Sequence, residues 1–89
     1  MVTLKFFANL RDIVHTKEIK VEGKNLKDAI MYAEKLLNVD LINELFENGK
    51  PKKGVIILVN GKNIEHLQGL LTPLSDGDVV SLFPPVGGG

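Results

Sequence analysis

Asn25-Leu26-Lys27-Asp28-Ala29-Ile30-Met31-Tyr32-Ala33-Glu34-Lys35-Leu36-Leu37 carries the clearest helical period in the chain. Leu26, Ala29, Ile30, Ala33, Leu36 and Leu37 recur at i, i+3, i+4 and i+7, which puts them on one stripe of an α-helix. Asn25 reads as the N-cap, since its side-chain oxygen can accept from an unpaired N–H of the first turn, and Asp28 suits the positive end of the helix dipole. The flanking segments are mostly short and alternating, so this one apolar stripe is expected to lie on a sheet.

Toward the N-terminus, residues 17–22 alternate through Ile19 and Val21 until Gly23 stops the pattern. Residues 8–14 resemble a short helical turn with Leu10 and Val14 at i, i+4. Residues 2–7 alternate again, with Val2, Leu4 and Phe6 on one face and Thr3, Lys5 and Phe7 on the other. Strand, connection and strand form a hairpin. Toward the C-terminus, residues 39–47 suggest a second short helix through Leu41, Ile42, Leu45 and Phe46, broken by Gly49 and Pro51. The unbroken apolar run at residues 55–59 reads as a strand buried in mid-sheet. Asn60-Gly61 signals a hairpin turn into Lys62-Asn63-Ile64. Residues 65–75 are irregular, and Asp76-Gly77-Asp78 turns into a last strand, residues 79–83. Pro84 and Pro85 end that strand because neither can donate a backbone hydrogen bond.

The layout is α+β: a mixed sheet packed on one main helix. Its order fits the β-grasp fold, and by that analogy the first and last strands lie side by side in the middle. The expected division is a β-grasp domain at 1–83 and a flexible glycine tail at 84–89. Phe7 and Phe83 then both fall on the sheet face away from the helix, as two exposed aromatics suited to partner docking. Arg11 can make a structural salt bridge or help contact a partner, and the structural role is the favoured one.

Composition removes whole classes of chemistry. The chain has 89 residues, enough for one domain. With no cysteine it has no disulfide, zinc ribbon or thiol nucleophile. Eleven basic residues balance eleven acidic ones, so the cationic excess that nucleic-acid binding draws on is missing and no nucleic-acid partner is expected. His15 and His66 stand alone, without metal-ligand spacing, and no metal site is expected. No GxSxG elbow, GxGxxG or GxxxxGK[ST] cradle occurs. The start lacks a signal-peptide pattern, and the longest apolar run falls far short of the ~20 residues of a membrane span. A cytoplasmic protein without membrane contact is expected.

The informative segment is Phe83-Pro84-Pro85-Val86-Gly87-Gly88-Gly89. Prolines fix φ near −65° and favour an extended path, whereas glycines pass through channels too narrow for a side chain. From Pro84 onward six residues span at most about 20 Å. Ordering such a segment costs roughly 1–2 kcal/mol per residue, which a partner groove has to offset. Pro84, Pro85, Val86, Gly87 and Gly88 are therefore read as threading residues that deliver the Gly89 carboxylate into another protein's active site.

Four motifs carry a family likeness: Leu4-Lys5-Phe6-Phe7-Ala8-Asn9-Leu10-Arg11-Asp12, Val59-Asn60-Gly61, Thr72-Pro73-Leu74-Ser75-Asp76-Gly77-Asp78-Val79-Val80, and the terminal Phe-Pro-Pro-Val-Gly-Gly-Gly. Over essentially its whole length the chain resembles the MoaD/ThiS group of ubiquitin-like sulfur carriers, and most of all the MoaD type, the small subunits of molybdopterin synthase. Gly87 departs from the group, which commonly has a small or hydroxyl side chain there. The resemblance implies a carrier whose chemistry is supplied by partner enzymes and which binds no cofactor of its own. A ubiquitin-activating-type enzyme would use ATP in trans to adenylate the Gly89 carboxylate. A sulfur donor would then leave a thiocarboxylate there. The large synthase subunit would pass that sulfur to a pterin precursor in molybdenum or tungsten cofactor synthesis. The alternatives are a ThiS-like carrier for thiazole synthesis and a ubiquitin-like modifier conjugated through Gly89.

Overall fold

The computed structural model describes residues 1–85. Strand β1 (Val2–Phe6) buries Val2, Leu4 and Phe6, as the alternation predicts. A short helix α1 (Leu10–Val14) follows, pinned by buried Leu10 and Val14. It leads into β2 (Glu18–Val21), which pairs antiparallel with β1 and sets Val2 opposite Val21 and Leu4 opposite Ile19.

Helix α2 (Leu26–Leu37) starts at Asn25, whose side-chain oxygen accepts from the Asp28 N–H at 2.8 Å. Its buried face is Leu26, Ala29, Ile30 and Ala33, with Leu37 packed at the margin. Leu36, expected on that stripe, is 58% exposed. At 3.6 residues per turn it lies only about 20° outside buried Ala29, at the margin of the buried face and in the helix's last turn. Gly23 passes tightly against this helix: a Cβ there would lie 2.6 Å from the Ala29 nitrogen and 2.9 Å from its Cα. Only glycine fits that approach.

Helix α3 (Leu41–Leu45) is started by two carboxylates. Glu34 accepts from the N–H groups of Leu41 and Ile42 at 2.8 and 2.9 Å, and Asp40 accepts from that of Asn43 at 3.1 Å. It stops at Leu45, short of the expected residue 47, because Phe46 is already extended. The ribbon β3 (Phe46–Glu47) and β4 (Lys50–Pro51) begins there. Asn48 and Gly49, at φ 53° and 80°, make its turn.

Strand β5 (Ile56–Val59) pairs antiparallel with both β6 (Lys62–Asn63) and β7 (Val79–Phe83). Asn60 and Gly61, at φ 51° and 84°, form the expected turn. The reading of residues 55–59 as buried on both faces is corrected. Val55, Ile57 and Val59 face the core, but Ile56 is 47% exposed and Leu58 is half-buried. Among the described residues only the two-residue β6 stands beyond β5, and no helix covers the outer face. Two 3₁₀ turns, Ile64–His66 and Gly69–Leu71, lie in the first half of the stretch back to β7.

The five-stranded sheet has the order β2-β1-β7-β5-β6. β1 and β7 run parallel, with Leu4 opposite Val80 and Phe6 opposite Leu82. The core fills the space between α2 and one sheet face, an α+β arrangement of the β-grasp type. The other face of the sheet is open.

Candidate functional site

The open face is built by strand parity. In β7, Val80 and Leu82 point into the core, which turns Val79, Ser81 and Phe83 outward. The β1–β7 register brings Phe7 beside Phe83, and the Phe7 N–H donates to the Leu82 carbonyl at 3.1 Å. The two rings stack with centroids 4.3 Å apart and planes 10° from parallel. Both are half-buried rather than fully exposed as expected, because each covers a face of the other. Ile56 of β5 is the register partner of Phe83 on its other side, so Phe7 just after β1, Phe83 and Ile56 make an apolar strip on the open face. Sequence reasoning missed Ile56, whose outward direction follows from its register with β7 and not from the uniform apolar run around it.

Arg11 serves the structure, but through contacts other than a salt bridge. Its Nε donates to the Phe6 carbonyl at 2.8 Å, and its guanidinium carbon lies over the Phe7 ring, 5.6 Å from the centroid. On the same sheet face Lys20 donates from Nζ to the Thr3 hydroxyl at 2.7 Å, which helps to bury Thr3.

The strip ends where β7 leaves the sheet. Pro84 is buried. Pro85 is exposed and lies beside the turn at Gly54, where a Cβ would be 3.5 Å from the Pro85 Cα and Cβ. Gly54 has φ +87°, a conformation that tightens the turn closed by the Val55 N–H to the Lys52 carbonyl at 2.9 Å. The first two residues of the expected tail thus rest on the body. Val86, Gly87, Gly88 and the Gly89 carboxylate lie outside the described residues.

At the far end of β7, Asp78 organises the entry to the strand. Its carboxylate accepts from the Ser75 N–H at 2.7 Å and from the Asn60 side-chain amide at 2.9 Å. Both bonds favour the ionised form and hold its pKa below the ordinary carboxylate value, the Ser75 N–H most of all. Asp40 is lowered likewise, first by the Asn43 side chain and then by the Asn43 N–H. Each carboxylate is engaged by one backbone N–H and one side-chain amide, Asp40 as the N-cap of α3 and Asp78 at the turn before β7. Among the described residues no group of three or more His, Cys, Asp or Glu side chains is placed to hold a metal ion. No helix among them is long and apolar enough to cross a membrane.

The strand with the apolar strip on its open face thus runs out through buried Pro84 and exposed Pro85. The ThiS family model matches residues 4–89. The chain belongs to the ThiS family. Small archaeal modifier protein 3 of Haloferax volcanii is 39% identical over 88 residues, covering 97% of this chain and 96% of that protein. The solution structure of small archaeal modifier protein 1 from Methanosarcina acetivorans superposes with a TM-score of 0.80 at 34% identity, covering 99% of this chain and 95% of the other. The chain in the Amycolatopsis orientalis BexX/CysO complex shares the fold across 100% of both chains, with a TM-score of 0.87 at 23% identity. This ThiS-family chain is therefore a ubiquitin-like protein of the sulfur-carrier and modifier kind.

Proposed function

We propose that the chain is a sulfur carrier whose working group is the Gly89 carboxylate, and that it serves as the small subunit of a molybdopterin synthase. A carboxylate is a poor electrophile without a leaving group. A ubiquitin-activating-type enzyme supplies one by joining the Gly89 oxygen to the AMP moiety of ATP, with release of pyrophosphate. A donor of sulfide-level sulfur (hydrosulfide) attacks the acyl carbon, the C–O bond to AMP breaks, and loss of the S–H proton leaves a thiocarboxylate. The large synthase subunit then docks on the Phe7, Phe83 and Ile56 strip, takes in the terminal glycines, and transfers the sulfur to a pterin precursor. Two such transfers make a dithiolene.

The observation that supports this reading is the continuity of β7, which ends in Phe83, with buried Pro84 and exposed Pro85. A strand in the sheet interior, paired on both sides, leads directly into the segment that has to be aimed. The Phe-Pro-Pro-Val-Gly-Gly-Gly terminus favours the molybdopterin branch over thiazole synthesis.

A second reading has its own support: the Haloferax volcanii relative at 39% identity is named a modifier protein. On that reading a lysine amine attacks the same activated Gly89 carbonyl, and AMP leaves as an isopeptide bond forms. Incubation with a ubiquitin-activating-type enzyme, ATP and a sulfur source, followed by intact mass measurement, separates the two. One oxygen replaced by sulfur supports the carrier, and lysine conjugates support the modifier. Unchanged mass with a competent enzyme refutes both. Formation of a pterin dithiolene with a large synthase subunit tests the molybdopterin assignment; formation of thiazole overturns it.

A further inference from the structure

We infer that Arg11 is a positioning residue for the C-terminal segment, acting through Phe7 on Phe83 and so on the direction in which the chain leaves β7. The inference rests on the reading that the protein works at Gly89. Its starting point is a backbone anomaly. Ala8, immediately after Phe7, has φ 54°, in the left-handed region that a residue with a Cβ rarely enters. Such conformations persist where the surroundings over-determine them, and they gather at working parts of a protein.

At Ala8 the conformation turns the chain back on itself. The Leu10 N–H donates to the Phe7 carbonyl and the Arg11 N–H to the Ala8 carbonyl, both at 3.2 Å. Arg11 is thereby returned over the strand that precedes it. Its Nε donates to the Phe6 carbonyl at 2.8 Å, and its guanidinium lies over Phe7. A charge-assisted hydrogen bond and a cation–π contact fix the planar group at two points. Among the described residues no carboxylate pairs with it. Arg11 is otherwise exposed, and the contacts its guanidinium makes among the described residues are the Phe6 carbonyl and the Phe7 ring.

Phe7 in turn lies against Phe83, and Phe83 directly precedes Pro84. Motion of Phe83 about the end of β7 requires sliding against a ring that Arg11 holds. The contacts run from a strained turn to the root of the terminal segment without passing through the core.

The test uses Arg11→Gln and Phe7→Leu in the full-length chain, singly and together. The first readout is Cα–Hα residual dipolar couplings at Phe83, Pro84 and Pro85 in weakly aligned protein. Each single variant lowers them by about half, while couplings at Leu4 and Ile57 stay unchanged. The double variant lowers them no further than the worse single, since the two residues act in series. The second readout is adenylation by a ubiquitin-activating-type enzyme, where Arg11→Gln lowers kcat by about tenfold and leaves KM within about twofold. A rise in KM with kcat unchanged makes Arg11 a partner contact and overturns the inference. Unchanged couplings and kinetics with only a lower melting temperature overturn it too, as does an additive double variant. If the wild-type chain is not adenylated by a competent enzyme, the Gly89 reading fails, and the couplings still decide whether Arg11 holds the root of the segment.

Discussion

Truncating the Phe7–Phe83 stack measures how far the open face is a built surface and how far it is two neighbouring side chains. Removing a fully buried phenylalanine to alanine costs about 3–5 kcal/mol. Both rings are half-buried and stand outside the main core, so Phe7→Ala and Phe83→Ala should each cost about 1.5–2.5 kcal/mol by the same scale. Part of each loss is shared. At 4.3 Å and 10° the rings are in stacking contact, an arrangement worth about 0.5–1.5 kcal/mol beyond area burial. The double variant should therefore fall short of the sum of the singles by that amount. Urea unfolding followed by circular dichroism gives the three values, with equal slopes confirming that only stability has changed. Additivity within about 0.3 kcal/mol would show two independent side chains and refute the stack as an energetic unit. The same variants should weaken association with an activating enzyme or synthase subunit, in contrast to an Ile19→Val change on the inner face.

Gly23→Ala should destabilise the domain by about 1–3 kcal/mol, because the new methyl meets the backbone of Ala29 and neither side can yield cheaply; a melting curve checks it. Asp78 has a folded pKa below its ordinary 3.8, so its stabilisation is fully present above that value and is lost as pH falls through the depressed one. Stability should accordingly be flat in this group's contribution from neutral pH to about pH 5 and decline below about pH 4, and Asp78→Asn should soften that acid decline in a pH series of melting temperatures. Deleting Gly89, or extending the chain by one residue beyond it, should abolish sulfur loading by mass spectrometry and leave the melting temperature unchanged.

Much of this architecture is visible in the residues, for identifiable reasons. The caps and turns that depend on one or two neighbouring residues are legible: Asn25 opens α2 and Asn60-Gly61 turns the hairpin, as chemistry alone suggests. The inward parity of β1 is legible because one of its faces is apolar throughout. The same signal fails for residues 55–59, where both faces are apolar and only pairing with β7 turns Ile56 outward. Asn48-Gly49 is the same dipeptide as Asn60-Gly61 and was the available sign of the β3–β4 ribbon; the neighbouring apolar residues at helical spacing mask it. At the candidate site, the sequence points to Phe7 and Phe83 through strand parity. It does not disclose that Arg11 covers Phe7 or that Pro85 comes beside Gly54, since both depend on contacts between segments that only the folded chain brings together.

The parallel pairing of β1 with β7 has a consequence for when the protein becomes competent. Residues 3–6 find their partners at 79–82, nearly the whole chain away, and such distant closures come late and slowly in folding. The Phe7, Phe83 and Ile56 strip draws one residue from the beginning, one from the middle and one from the end. No fragment emerging during synthesis displays it, and a chain whose ends have come apart loses it. A partner that reads this strip before accepting the terminus is in effect inspecting finished goods, and damaged or incomplete copies are turned away without any separate means of detecting them.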